Sequence, residues 1–118
     1  MHELSLAQGI CRMIAERLGR RRLATIRLDV GVLSGVNADS LQFCLGEVAR
    51  LEDLGEPTIE INQIAPRMRC ECGREYRVED ILEACPACGG YEREVVAGTE
   101  LTVTSVDIPD EEDAHAGR

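Results

Sequence analysis

Four cysteines within nineteen residues constrain the fold of this chain more than any other feature. They stand in "CECG" at 70–73 and in "CPACGG" at 85–90, and twelve residues separate Cys72 from Cys85. Two chelating pairs joined by a loop of about this size can place four sulfur ligands around one tetrahedral zinc ion. A segment this short is too small for a core of its own, so the metal ion would hold it together.

Each cysteine pair has a spacing that allows both thiolates to bind the same ion. Cys85 and Cys88 form a C-x-x-C turn, in which Gly89 permits the positive φ that turns backbone amides toward the sulfurs. Cys70 and Cys72 form a shorter C-x-C pair, and residues i and i+2 of an extended segment point the same way. Because four thiolates complete the coordination shell, the pattern predicts a structural zinc site rather than a catalytic one.

Other readings of the cysteines are possible. The chain shows no export signal, so four free or disulfide-bonded thiols are less favoured than a metal site. A rubredoxin-type iron site normally lies among aromatic residues. This segment offers only Tyr76 and Tyr91, which disfavours iron. Cys11 and Cys44 lie far away on apolar helical stripes, which predicts that they fill the core.

Two segments show apolar side chains at helical spacing. Residues 4–19 form the first predicted helix, which ends at a glycine. Residues 40–54 form the second, and either Asn37 or Asp39 can cap its start. The apolar stripe of this second helix is expected to comprise Leu41, Cys44, Leu45, Val48 and Leu51.

Three further segments have the residue pattern of β-strands. Residues 24–32 alternate strictly, which predicts a half-buried strand with one apolar face formed by Ile26, Leu28, Val30 and Val32. Residues 58–64 and 99–108 supply the second and third strands. In the third, the alternation slips near Thr104 and Ser105, which indicates a β-bulge.

The order of elements predicts an α/β (α+β) fold. It consists of a three-stranded sheet with two helices, interrupted by an inserted zinc-ribbon-like module. Residues 1–66 together with 98–118 would form the α/β domain, and residues 67–97 the zinc module. The acidic end of the chain is expected to be disordered, with His115 solvated there.

Composition excludes several classes of function. The formal net charge is −9 and aromatic residues make up 3%, which disfavours binding to nucleic acids. No apolar run approaches the ~20 residues of a membrane span, and the start lacks the pattern of a signal peptide. We expect a cytoplasmic protein that binds neither nucleic acid nor membrane.

The first residues, "MHEL", place a histidine directly behind the initiator methionine. The α-amine, a backbone amide and the His2 imidazole can close five- and six-membered chelate rings around one ion. Nitrogen-rich, square-planar ligand sets suit Cu(II) or Ni(II). The alternative is an incidental histidine near a chain end, and position alone favours that alternative.

Three stretches together resemble the HypA/HybF family. They are "MHELSLAQGI" at the start, "VGVLSGVNADSLQFC" in the middle and "CPACGG" late, in the family's order and spacing. The similarity runs from residue 1 to about 108. It implies a nickel metallochaperone of [NiFe]-hydrogenase maturation rather than an enzyme.

The resemblance also assigns candidate ligands. The family's nickel site maps onto Met1, His2 and Glu3, with the His2 side chain and local backbone nitrogens as ligands. Some members add an acidic ligand from the loop before the second helix, and Asp39 is the nearest candidate here. Most members carry C-x-x-C where this chain has C-x-C. The zinc ligands map onto Cys70, Cys72, Cys85 and Cys88.

The resemblance implies partners as well. The family works with the GTPase HypB and helps to deliver nickel to the hydrogenase large subunit, and urease is a second client of some members. The main alternative is a zinc-ribbon adaptor that recruits a protein partner and binds no nickel. A third reading is a thiol oxidoreductase, although Cys85 and Cys88 would be inert while zinc holds them.

Overall fold

The computed structural model of the chain describes residues 2–79 and 82–109. Met1 and residues 110–118, which include His115, therefore lie outside the described residues. None of the described helices is both long and apolar enough to cross a membrane. The described elements, in chain order, are α1 (His2–Leu18), β1 (Thr25–Gly31), α2 (Ala38–Leu51), β2 (Thr58–Ile64), β3 (Arg67–Cys70), β4 (Glu75–Arg77), β5 (Arg93–Ala97) and β6 (Leu101–Asp107).

Helix α1 begins at His2, two residues earlier than the apolar pattern predicts. Glu3 in its first turn suits the positive end of the helix dipole, which favours a helix that begins at His2. The helix ends before Gly19, whose φ is +80° and whose N–H donates to the carbonyl of Ala15 at 2.8 Å. A glycine in this left-handed conformation is a common helix stop.

Helix α2 begins after Asn37, whose side-chain oxygen accepts the N–H of Ser40 at 2.9 Å. Asn37 is thus the N-cap, as the sequence allowed. The helix ends at Leu51 rather than at residue 54, and the prediction that Leu51 is buried is wrong, since it is 75% exposed. The chain reverses at Asp53, which has a φ of 61°, and this brings Leu54 into the core instead.

Strands β2, β1 and β6 form the predicted three-stranded sheet, with β1 in the centre. Strand β2 runs parallel to β1, and β6 runs antiparallel to it. Arg27 is opposite Ser105 while Leu28 is opposite Val103, so Thr104 has no partner in the register. This is the predicted β-bulge, and it is confirmed.

The prediction that Val32 continues the buried face of β1 is wrong, because Val32 is 56% exposed. Strand β1 ends at Gly31, where a Cβ atom would lie 2.0 Å from the carbonyl oxygen of Gly98. The chain turns directly after this close approach. The Val32 N–H then donates to the carbonyl of Ile64 at 2.9 Å, and the Leu33 N–H donates to the carbonyl of Gly98 at 2.7 Å.

The core of this sheet lies between its inward face and the two helices. Cys11 is fully buried there, and Cys44 packs against the same core at its margin, which agrees with their predicted role as core residues. Burial raises the pKa of the Cys11 thiol to about 11. The buried side chains are Ala7, Cys11, Ile14, Leu23, Ile26, Leu28, Val30, Leu41, Leu45, Val48, Ala49, Leu54 and Ile59.

The cysteine segment contains a second three-stranded sheet, ordered β4-β3-β5 with both pairings antiparallel. The sequence pattern did not predict these short strands. Their cluster of buried residues comprises Met68, Cys70, Tyr76, Val78 and Cys85, and Leu33 from the loop after β1 packs against it. Two of the five buried side chains are therefore candidate zinc ligands.

Candidate functional site

The four cysteines of the second sheet converge on one point. Their Sγ atoms all lie within 4.8 Å of one another, with Cys70 and Cys88 at 3.5 Å and Cys72 and Cys85 at 3.8 Å. Zinc–sulfur bonds of ~2.3 Å at tetrahedral angles place sulfurs about 3.8 Å apart. The cluster therefore fits one tetrahedral zinc ion, held by four thiolates and no protein nitrogen or oxygen.

The first pair is brought together by a turn. Cys70 ends β3, and its N–H donates to the carbonyl of Arg74 across the turn at 2.8 Å. The Gly73 N–H donates back to the carbonyl of Cys70, and Gly73 has a φ of +96°. Cys72 therefore lies in the turn itself rather than in the extended segment that the C-x-C spacing suggested.

The second pair also lies in a hydrogen-bonded turn. The Gly89 N–H donates to the carbonyl of Cys85 at 2.8 Å, and the Cys85 N–H donates to Gly90 at 3.0 Å. The Gly90 N–H points at the Cys88 sulfur, 3.4 Å away. Gly89 has a φ of +74°, which confirms the conformation expected of it.

The electrostatics of the cluster suit a cation. Burial raises the pKa of Cys85, but the backbone N–H groups of Cys88 and Ala87 and the neighbouring thiols outweigh this and lower it to about 7. At Cys70 the Cys72 N–H lowers the pKa, yet burial and hydrogen bonds with the other thiols raise it to about 12. Cys85 thus loses its proton more readily than an ordinary cysteine, and Cys70 less readily. A metal ion removes this competition for protons, because it binds all the thiolates at once.

The N-terminal residues lie on a different part of the molecule. His2 is the first residue of α1 and is exposed. Glu3 is buried at 9% exposure, and its Oε2 accepts the backbone N–H of Asn37 at 3.0 Å. That hydrogen bond, followed by the N–H of Glu3 itself, lowers the pKa of the Glu3 carboxyl to about 2.

This contact brings the starts of the two helices together. Asn37 caps α2, and Asp39 follows in the first turn of that helix. The first backbone N–H groups of a helix have no carbonyl partner within that helix, so such groups are gathered where the starts of α1 and α2 meet. The predicted nickel residues that the structure describes, and the candidate Asp39, thus belong to two adjoining helix starts.

Sequence reasoning missed the role of the Glu3 side chain. Its partner Asn37 is 34 residues away, and a backbone N–H leaves no mark in the amino-acid pattern. The signal available was an acidic residue in the first turn of a helix.

Comparison with known proteins agrees with this architecture. A family model described as "Hydrogenase/urease nickel incorporation, metallochaperone, hypA" matches residues 1–108. A hydrogenase maturation factor HypA from Rhizobium leguminosarum bv. viciae is 38% identical over 112 residues, covering 92% of this chain and 99% of that protein. The HypA of Geobacter metallireducens is 35% identical over 109 residues, with the same coverage.

Solved structures share the fold. The solution structure of the Ni metallochaperone HypA from Helicobacter pylori superimposes with a TM-score of 0.61 at 13% identity, covering 92% of this chain and 98% of that one. A second solution structure of a HypA protein gives the same TM-score at 15% identity. With the family match over nearly the whole chain, these findings place the protein in the HypA family of nickel-incorporation metallochaperones.

Proposed function

We propose that this chain binds Ni(II) at its N-terminus and helps to insert it into the large subunit of [NiFe] hydrogenase during maturation. The observation that carries the proposal is the position of His2, exposed at the very start of a helix that Glu3 fixes to its neighbour. Family membership supplies the metal, and the chain supplies a nitrogen-rich set of donors at an accessible terminus.

The ligands we propose are the His2 imidazole and the local backbone nitrogens, including the α-amine of Met1. The Glu3 carboxylate is engaged by the Asn37 N–H, so we assign Glu3 to the site through its backbone nitrogen. Asp39 is exposed in the first turn of α2 and is the candidate for an additional oxygen ligand.

The two metals would have different roles. A carrier must release its ion to a partner, and ligands at an exposed helix start can be displaced by an incoming protein. The four cysteines would keep their zinc as part of the fold, with residues 67–97 as the zinc module and residues 1–66 with 98–118 as the nickel-binding domain. Separate sheets and separate buried clusters support this division.

The partners we propose follow from the same role. A HypB-type GTPase would exchange nickel with this chain in the cytoplasm, and urease maturation factors are a further candidate client. The chain would perform no catalytic step. An adaptor that binds zinc alone remains the competing function, and metal analysis separates the two.

The test is the metal content of the chain with its native start beside that of His2→Ala. We expect the variant to lose at least tenfold in nickel affinity and to keep one zinc per chain, because His2 is exposed and contributes little to the fold. His115→Ala, which removes the other histidine of the chain, is the matched control and should bind nickel normally.

Two outcomes would contradict the proposal. Equal nickel uptake by His2→Ala would place the ion elsewhere. A wild-type chain that takes up zinc but no nickel would favour the adaptor function.

A further inference from the structure

A groove of about 500 Å³ runs between α1 and the edge strand β6. Its helix side includes Leu6, Gly9 and Met13, and its sheet side includes Leu101 and Val103. Most of its lining is apolar. Gly9 forms a notch, since a Cβ atom built there would meet no atom within 4 Å.

The groove arises from a mismatch of widths between the two layers. Two helices packed side by side cover about 20 Å, whereas three strands spaced about 4.8 Å apart cover about 14 Å. Helix α2 contacts β2 at one edge of the sheet, and its Gln42 side chain donates to the Ile59 carbonyl at 3.1 Å. The excess width therefore falls on the α1 side, where about one more strand would fit beneath the helix.

The backbone of β6 is available for such a strand. Within the described residues, β6 has β1 as its one neighbour in the sheet. The carbonyls of Glu100 and Asp107 accept N–H groups from Gly31 and Ala24 and so face β1. Polar backbone groups alternate along a strand, so the residues between, such as Leu101, direct theirs to the open edge.

The side chains of β6 do not protect this edge. Natural edge strands are usually blocked by charges or prolines. Strand β6 has no proline, and its one charged residue, Asp107, stands at its end and pairs with Arg27 of β1 at 2.6 Å. The bulge at Thr104 leaves Leu101, Thr102 and Val103 in regular register with β1. Strand β2, at the opposite edge, carries Glu60.

We propose that this groove and edge bind an extended segment of a partner protein, which adds to the sheet as a fourth strand beside β6. Its inward side chains would be apolar and would alternate with polar ones, because only one face of the added strand lies under α1. Arg17 lines the groove and forms no ion pair with the described residues, so an acidic side chain at one end of the segment would complete the match.

A second copy of the chain fits this surface poorly. Pairing of two β6 edges would produce six strands, spanning about 29 Å, beneath four helices that need about 40 Å. Both α1 helices overhang their sheets on the same face and would collide. A single strand, which brings no helix, uses the space instead.

Two glycine variants test the groove. In Gly9→Leu the new side chain grows from a Cβ position that has no atom within 4 Å, and leucine is a better helix former than glycine. Gly46→Leu is the matched control, because Gly46 lies in the middle of α2 and also has nothing within 4 Å of its Cβ position. Circular dichroism should show both variants folded.

The probe is a library of random twelve-residue peptides displayed on phage and selected on the wild-type chain. We expect the selected sequences to alternate apolar and polar residues, to bind Gly9→Leu at least tenfold more weakly, and to bind Gly46→Leu as they bind wild type. In NMR spectra of the wild-type chain, such a peptide should shift the amide signals of Leu101 and Val103.

Several results would overturn the proposal. They are a selection without binders, peptides with helical spacing, and binding that Gly9→Leu leaves unchanged. Dimerisation of the free chain that Gly9→Leu abolishes would assign the groove to a second copy. A tenfold gain in peptide affinity on removal of residues 110–118 would assign it to the end of the chain itself.

Discussion

The two sheets of this protein have different sources of stability. The β2-β1-β6 sheet is covered by two helices, and thirteen described residues form its buried cluster. Among the described residues no helix covers the β4-β3-β5 sheet, and its cluster there holds five buried residues, two of them cysteines. Burial of apolar side chains can stabilise the first sheet, whereas the second has too little apolar surface to bury.

Ion pairs on the second sheet do not compensate for its small core. Arg69 bridges Glu75 and Glu94 across the strands, at 3.0 and 3.1 Å, and Arg67 pairs with Glu75 at 2.8 Å. All four side chains are well exposed to solvent, and exposed pairs contribute about 0–1 kcal/mol each. Binding of zinc is therefore expected to supply most of the stability of this sheet.

The largest expected effect comes from removing one thiolate. Cys85→Ser should release zinc and unfold residues 67–97, because structural zinc sites contribute ~10 kcal/mol or more to local folding. Zinc content per chain and amide hydrogen exchange measure the two consequences. Cys11→Ser is the control and should keep its zinc, since Cys11 lies in the other core. Retained zinc with protected amides in Cys85→Ser would contradict a four-thiolate site.

A cavity in the larger core should have the converse effect. Leu45 is fully buried between α2 and the sheet. Leu45→Ala should therefore lower the free energy of unfolding of the β2-β1-β6 sheet and its helices by ~2–5 kcal/mol. Thermal unfolding followed by helical circular dichroism measures the loss. Zinc content at 25 °C should stay at one per chain. Loss of zinc from the folded variant would show that the two sheets depend on one another more than their separate cores suggest.

The smallest effect concerns pH and the hydrogen bond between the helix starts. The pKa of Glu3 is about 2 in the folded chain against an ordinary value of 4.5, chiefly because its carboxylate accepts the Asn37 N–H. Its contribution to stability is thus complete above pH 4.5, declines as the pH falls further, and is lost below about 2. The Asn37 amide signal in NMR should titrate with a midpoint near pH 2 in wild type and show no such step in Glu3→Gln. A midpoint near 4.5 would mean that the hydrogen bond does not persist in solution.

Local patterns predicted much of this fold. The slip in alternation near Thr104 located a real bulge, because a bulge shifts the inward and outward sides of a strand in the sequence itself. The spacing of the cysteines likewise predicted the cluster that the structure forms. Both features are encoded locally, the bulge within a few residues and the cysteine cluster within nineteen.

Predictions failed where a tight turn or distant backbone ends the regular pattern. Val32 continues an apolar alternation, yet β1 stops before it because Gly31 abuts the backbone of Gly98, 67 positions along the chain. Leu51 continues a helical stripe, yet the turn at Asp53 brings Leu54 into the core in its place. The strands of the cysteine segment are short and carry charged residues on their exposed face, so their alternation is hard to distinguish from loop sequence.

Gly98, whose backbone Gly31 approaches, also lies against Pro66 at the other end of the inserted segment. The chain leaves the larger sheet at Pro66 and returns at Gly98, and a Cβ atom on Gly98 would lie 2.8 Å from the Pro66 Cα. Entry and exit of the inserted segment are therefore side by side, and a direct link across this point would close the chain with little disturbance of β1. The insertion has the geometry of a cassette. In protein engineering it could be excised, or exchanged for another small domain with adjacent ends. The β2-β1-β6 sheet and its two helices would continue to fold around their own core.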